Sequence, residues 1–171
     1  MRRFIAILGT LLIAAVFIIS GSAVAGYVNE YIPEGSSAVT NPDEAEGPED
    51  YTYATVGINS PPTLGVLLLD LGDEENWMDA EQDFTVYGWE YGPGTNIFEE
   101  YTVVIYNDGL TARYGPYYGD DDEDKVFQTP STPTNPDWRY IEINGTSGEV
   151  DFENHDDTIY GPEIDAVGWR A

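Results

Sequence analysis

The sequence predicts an all-β protein, an antiparallel β-sandwich or jelly roll of about eight strands preceded by an N-terminal signal helix. Short runs of β-branched and aromatic residues recur along the chain, and clusters of Gly, Pro, Asn and Asp separate them. After the first 25 residues, no segment keeps a helical period over about 11 residues. The 13 Tyr, 6 Phe and 4 Trp residues supply apolar surface that a disordered acidic chain lacks.

Residues 1–25 have the pattern of a secretory signal peptide. Arg2 and Arg3 form a basic start, residues 4–20 are apolar and uncharged, and Ala23-Val24-Ala25 matches the small-x-small cleavage pattern. The alternative is an uncleaved membrane anchor, because the apolar run approaches the roughly 17–25 residues that span a bilayer. Both interpretations predict that the rest of the chain is extracellular or at the cell surface.

Cleavage after Ala25 would leave 171 − 25 = 146 residues, the length of one domain. The chain has no cysteine, so core packing or a bound ion must stabilise it without disulfides. The processed chain would keep 4 basic and all 32 acidic residues, a formal charge of 4 − 32 = −28. This charge argues against nucleic acid and anionic membrane surfaces as partners. Salt or divalent cations would relieve the self-repulsion.

Residues 26–50 are predicted to form a loop-rich N-terminal arm, and residues 51–171 the sandwich domain to which the arm also belongs. Eight runs after the arm are predicted as strands, at residues 53–58, 64–71, 83–90, 101–106, 110–113, 125–129, 138–143 and 163–169. The nearly continuous apolar run at 64–71 predicts a strand buried on both faces. Asn107-Asp108-Gly109 predicts a tight hairpin turn.

Several segments, in order over residues 41–168, resemble motifs of the galactose-binding-like (discoidin-like) jelly rolls of secreted and cell-surface proteins. They are NPDEA (41–45), GVLLLDLG (65–72), DAEQDFTVY (79–87), YTVVIYNDG (101–109), RYIEI (139–143) and GPEIDAVG (161–168). The resemblance implies an extracellular jelly roll that binds carbohydrate, protein or calcium and is not an enzyme. The chain departs from the family at residues 79–82, which lack the family's glycines, and at Gly88-Trp89, which displace a glutamate to Glu90.

The acids of the closing run GPEIDAVGWRA are candidate calcium ligands. Alternation would place Glu163 and Asp165 on one face of the strand, where paired half-buried carboxylates repel unless a cation lies between them. One predicted site combines them, or a subset, with Asp79 and Asp83, since calcium binds oxygen ligands. The alternative is that Asp165 and Asp83 accept hydrogen bonds from loop backbone N–H groups and hold the strand ends.

The early loop supplies a second candidate calcium site. The resemblance implies an ion between the first loop and the last strand, which would pair Asp43 or Asp50 with Glu163. The sequence leaves the choice between the two sets open.

Aromatic residues are candidates for stacking on sugar faces. Trp89 and Tyr91, and Tyr117 and Tyr118, are predicted to lie in aromatic-rich loops beside carboxylates. The alternative role for these side chains is packing within the core or the loops. Asn144-Gly145-Thr146 is an N-glycosylation sequon, which predicts an exposed acceptor at Asn144.

Catalytic signals are weak in this chain. Its one histidine is His155, it has no cysteine, and no serine has a G-x-S-x-G context. The acidic run 120–124 lacks the alternation of an EF-hand and is predicted to be a solvated loop. The predicted function is therefore that of a non-catalytic surface or matrix module that binds glycan or protein, with calcium as a stabilising ion. The alternative is a self-assembling structural subunit of an extracellular filament, sheath or surface layer.

Overall fold

The computed structural model describes residues 24–59, 62–88, 99–120, 124–131, 137–147 and 161–170. Within these ranges the chain forms β-strands and two short 3₁₀ helices, Pro42–Ala45 and Glu74–Asn76. The strands are β1 (Val24–Tyr27), β2 (Glu30–Tyr31), β3 (Ala54–Thr55), β4 (Gly57–Asn59), β5 (Pro62–Leu64), β6 (Val66–Asp70), β7 (Asp83–Gly88), β8 (Glu100–Asn107), β9 (Arg113–Asp120), β10 (Lys125–Gln128), β11 (Trp138–Gly145) and β12 (Glu163–Arg170). The predicted all-β class is confirmed, whereas the predicted signal helix lies outside the described residues.

The strands form two antiparallel sheets and a small ribbon. Sheet A has the order β1-β12-β7-β10, with β3 also paired to β12, and sheet B has the order β2-β6-β11-β8-β9. Strands β4 and β5 pair with each other. The chain passes repeatedly from one sheet to the other. Two of these passages, from β1 to β2 and from β9 to β10, join an edge strand of one sheet to an edge strand of the other. The predicted antiparallel sandwich is thereby confirmed.

The core lies between the two sheets and follows the period of two expected for strands. Its fully buried side chains come from the inner faces of both sheets and include Leu67, Leu69, Phe84, Val86, Val103, Ile105, Ile141, Ile143, Ile164 and Val167. In β6 the residues that alternate with Leu67 and Leu69 are partly exposed. The expectation that run 64–71 is buried on both faces is therefore wrong, because one face of sheet B is open to solvent.

The fifth predicted strand differs most from the structure. The expected partner of β8 was residues 110–113, but β9 begins at Arg113 and continues to Asp120. Asn107 forms the connection with its side chain, since its Oδ1 accepts from the N–H groups of Thr111 and Ala112 at 2.9 and 2.8 Å. The segment with Tyr117 and Tyr118, predicted as an aromatic-rich loop, is thus an edge strand, where proline is tolerated.

The N-terminal arm packs on its own chain. Val28 and Ala45 are buried, the 3₁₀ helix Pro42–Ala45 packs against β12, and Thr40 and Thr55 exchange backbone hydrogen bonds of 2.9 and 3.0 Å. The predicted cleavage point after Ala25 lies within β1. Within the described ranges, neither helix is long and apolar enough to cross a membrane.

Candidate functional site

The closing strand β12 is buried on both faces from Glu163 to Trp169, and a bulge interrupts its alternation. Residues 161–169 are all buried. Ile164 pairs with Gly88 and Ala166 with Tyr87, so Asp165 is an extra residue against β7. The core cluster includes Ile164 and Val167 but not Ala166. The uninterrupted alternation predicted for this strand is therefore wrong, because the bulge shifts the phase of the side chains after Ile164.

The bulge directs the Asp165 carboxylate at the end of the arm. Its Oδ1 accepts from the backbone N–H of Asp50 and its Oδ2 from that of Tyr51, each at 3.1 Å. Only 2% of Asp165 is exposed. Burial raises the pKa of Asp165, although the two backbone hydrogen bonds act in the opposite direction. The arrangement agrees with the loop-holding alternative for Asp165.

The other predicted calcium ligands are spread over the sandwich. Asp83 lies beside the Trp169 end of β12, whereas Glu163 is buried at the opposite end, where it pairs with Thr55 of β3. Asp83 accepts from the side chain of Gln128 at 3.1 Å rather than from a loop N–H. The first predicted set is therefore not brought together as a whole.

Asp50 lies against the closing strand, since its backbone N–H donates to Asp165. Its own carboxylate accepts from the N–H and hydroxyl of Thr52, which lowers the pKa of Asp50. Asp79 lies in the turn before β7, where its carbonyl accepts from Thr129, and Asp43 lies in the first 3₁₀ helix. Among the described residues, no three acids or histidines form a group that could hold a metal. The calcium site stays a prediction.

Tyr117 and Tyr118 are neighbours in β9 and point to opposite sides. Tyr117 packs with its ring centroid 5.6 Å from that of Phe84 and 5.2 Å from that of Phe127, closing the gap between the two sheets. Its hydroxyl donates to the Gln128 carbonyl at 2.6 Å, and burial raises its pKa. Tyr118 is 77% exposed. The predicted ligand residues Trp89 and Tyr91, like His155, lie outside the described residues.

The outer face of sheet B presents aromatic and polar side chains, most of which no sequence motif marks. One row across β11, β8 and β9 contains Tyr140, Tyr106 and Arg113, and a second contains Asn144, Thr102 and Tyr118. All six are partly or largely exposed. We call these two rows, together with Glu142 between them, the tyrosine face. The run YIEIN could have identified part of it, since Ile141 and Ile143 alternate there with Tyr140, Glu142 and Asn144.

Hydrogen bonds connect the polar groups of the tyrosine face. Glu142 accepts from the Tyr106 hydroxyl at 3.1 Å and from the Asn144 amide at 2.9 Å, one donor on each carboxylate oxygen. Arg113 makes a further side-chain hydrogen bond to Tyr106. Burial and the adjacent Glu142 carboxylate raise the pKa of Tyr106, so its hydroxyl stays protonated at neutral pH.

The glycosylation candidate lies in this network. Asn144 is part of β11, paired with Val66 on one side and Thr102 on the other, and it is only partly exposed. The sequon predicts an exposed acceptor, whereas the Asn144 amide donates a hydrogen bond to Glu142 within the strand.

Arg139 lies beside the tyrosine face, and its guanidinium is held by two carboxylates. Its guanidinium makes two 2.8 Å hydrogen bonds to the Asp70 carboxylate and one to Asp108. It also lies 4.9 Å from the centroid of the Tyr140 ring. These contacts connect three parts of the chain: Asp70 in β6, Asp108 in the turn that follows β8, and Arg139 in β11. They orient Tyr140 at the margin of the face.

Comparison with known proteins adds no assignment: the chain matches no protein-family model, no curated protein and no solved structure.

Proposed function

We propose that this protein is an extracellular, non-catalytic β-sandwich module that binds a glycan or another protein. The observation that carries the proposal is the tyrosine face, a solvent-open sheet face with three tyrosines around a hydrogen-bonded carboxylate. Exposed aromatic residues combined with a few ordered polar groups are typical of recognition surfaces. The galactose-binding-like resemblance and the signal-peptide pattern are consistent with this function and compartment.

The packing of the arm favours a binding module over the structural alternative. A subunit that donates its arm to a neighbour would leave that arm unpacked in the monomer. Here Val28 and Ala45 are buried in the chain's own core, and Tyr31 donates its N–H to Glu46 at 2.9 Å. The arm therefore already has its partners within one chain.

Calcium enters the proposal as a stabilising ion. The early loop meets the closing strand at Asp50 and Asp165, which is the neighbourhood implied by the resemblance. Glu49 lies close enough to Asp165 and Asp124 for their charges to raise its pKa, after the larger effect of burial. A cation would reduce that repulsion.

Sedimentation and binding measurements on the purified protein test the proposal. We expect a monomer that shows saturable binding on arrays of immobilised glycans or extracellular proteins. Assembly into filaments or sheets without ligand, together with empty arrays, would favour the structural alternative and overturn the proposal.

A further inference from the structure

We propose that the tyrosine face binds a neutral, hydroxyl-rich glycan laid across β11, β8 and β9; this inference rests on the proposed function as a binding module. The inner residues of these strands, such as Ile141, Ile143 and Val103, are fully buried. The residues that alternate with them are accessible, and Tyr118 is 77% exposed. The face therefore offers side chains to a ligand at no cost to the core.

The tyrosines are spaced to contact an extended ligand. Tyr140 and Tyr106 are direct neighbours across β11 and β8, whereas Tyr118 lies at the far corner, four residues along and two strands across from Tyr140. At about 3.4 Å per residue and about 4.8 Å per strand, this diagonal is roughly 17 Å. Tyrosine rings suit the apolar C–H faces of sugars, because their negative π-face attracts the partly positive hydrogens. A diagonal of this length accommodates several sugar units.

The β11 side of the face suits hydroxyl groups. Each Glu142 oxygen already accepts one hydrogen bond and has capacity for another, whereas the Tyr106 hydroxyl donates to Glu142 and is also hydrogen-bonded to Arg113. Because these side chains are held by one another before a ligand arrives, less rotamer entropy is lost on binding. Sugar hydroxyls both donate and accept, so they can satisfy Glu142 and Thr102 together.

Charge selects among the possible ligands. The chain carries a formal charge of −26, and Glu142 lies midway along the β11 side of the face, while the basic Arg113 lies at a corner on β9. Uronic-acid or sulfated polysaccharides would be repelled, most strongly at low salt. A protein partner is disfavoured as well, because the dry core of a protein interface is poor in charge and would desolvate Glu142. A neutral glycan avoids both penalties.

The test is affinity electrophoresis of the full chain, from a host without N-glycosylation, in gels that contain hydroxyethyl cellulose, galactomannan, mixed-linkage β-glucan or dextran. Alginate and heparin serve as anionic probes. The variants are Tyr118→Ala, Glu142→Gln and Tyr106→Phe. The matched control is Tyr51→Ala, since Tyr51 is 68% exposed but belongs to the loop held by Asp165. Thermal melting of every variant monitors folding.

We expect at least one neutral polysaccharide to retard the protein. Tyr118→Ala and Glu142→Gln should each weaken binding by about tenfold, while Tyr51→Ala binds like the wild type. Retardation that is equal in all variants, or that occurs only with the anionic probes, would overturn the inference. If no polysaccharide binds but a protein on the arrays does, the inference fails and the proposed function stands. If nothing binds, both fail.

Discussion

The Asp165 carboxylate accepts the backbone N–H of Asp50 at 3.1 Å, and this bond joins the last strand of the sandwich to the end of the N-terminal arm. The second oxygen accepts from the next residue, Tyr51, also at 3.1 Å. Two residues separated by most of the sequence thus meet at a buried carboxylate. The arm ends there and the chain enters β3.

Replacing Asp165 should destabilise the protein through this contact. In Asp165→Asn the carboxamide oxygen can accept only one of the two N–H groups, and the amide nitrogen faces the other. We expect the free energy of unfolding to fall by about 1–3 kcal/mol, and further for Asp165→Ala. Asp43→Asn, at an exposed position of the first 3₁₀ helix, is the control. Urea unfolding measures the stability of the two variants. Equal unfolding midpoints for Asp165→Asn and Asp43→Asn would contradict the role of Asp165 in holding the loop.

Stability should rise as the pH falls moderately below neutral. Burial raises the pKa of Asp165, and burial together with Asp124 and Asp165 raises that of Glu49. A carboxyl whose folded pKa exceeds its unfolded value stabilises the fold below the unfolded pKa, and this contribution is lost as the pH rises through the folded pKa. The pKa of Asp50 is lowered, so Asp50 has the opposite effect: it stabilises the fold above its unfolded pKa, and this stabilisation is lost as the pH falls through its folded pKa.

The pH prediction is checked by thermal melting from about pH 8 to about pH 4 at constant ionic strength, a range that reaches down to the ordinary carboxyl pKa values. The melting temperature should increase toward about pH 4, and Glu49→Gln should reduce that increase. A melting temperature that falls over this range in the wild type would show that the lowered pKa values dominate.

Gly161, just before β12, should not tolerate a side chain. Its φ is +115°, a conformation that favours glycine, and a Cβ there would overlap the carbonyl oxygen of Val56. Gly161→Ala is expected to cost about 1–3 kcal/mol of unfolding free energy. Gly109→Ala is the control, because the nearest atoms to its added Cβ would be 3.6 Å away. Similar melting temperatures for the two variants would contradict the strained entry into β12.

NaCl should stabilise the protein, and CaCl₂ should stabilise it more than NaCl does at the same ionic strength. Raising NaCl from about 0.1 to about 1 M shortens the Debye length from about 10 to about 3 Å, which screens a formal charge of −26. We expect the melting temperature to increase with NaCl. Millimolar CaCl₂ should add a further increase at matched ionic strength.

Two variants distinguish the predicted calcium sets. If the ion lies near the early loop, Asp50→Asn should abolish the increase in melting temperature with calcium, and Asp83→Asn should leave it unchanged. If the ion is bound by the set that contains Asp79 and Asp83, the reverse is expected. A calcium response equal to that of NaCl at the same ionic strength would remove calcium from the proposal.

Part of the candidate site could be predicted from the sequence, and part could not. The closing run was selected because two acids in an apolar strand are unusual, and Asp165 does hold a loop. The Tyr117–Tyr118 pair was selected for its aromatic content, but only Tyr118 is open to a ligand. Tyr106, Tyr140 and Glu142 were not selected, because each looks like an ordinary outward residue of a strand until the neighbouring strands are known.

The sequence by itself determined the all-β class, the approximate positions of most long strands and the alternation of the core, because side-chain period and turn residues are local properties of the chain. Only the tertiary structure decided the order of strands in the two sheets, the strand character of residues 113–120 and the bulge at Asp165. These features depend on pairing between distant segments. A one-residue shift against β7 reverses which side chains face the core, and no local pattern records that shift.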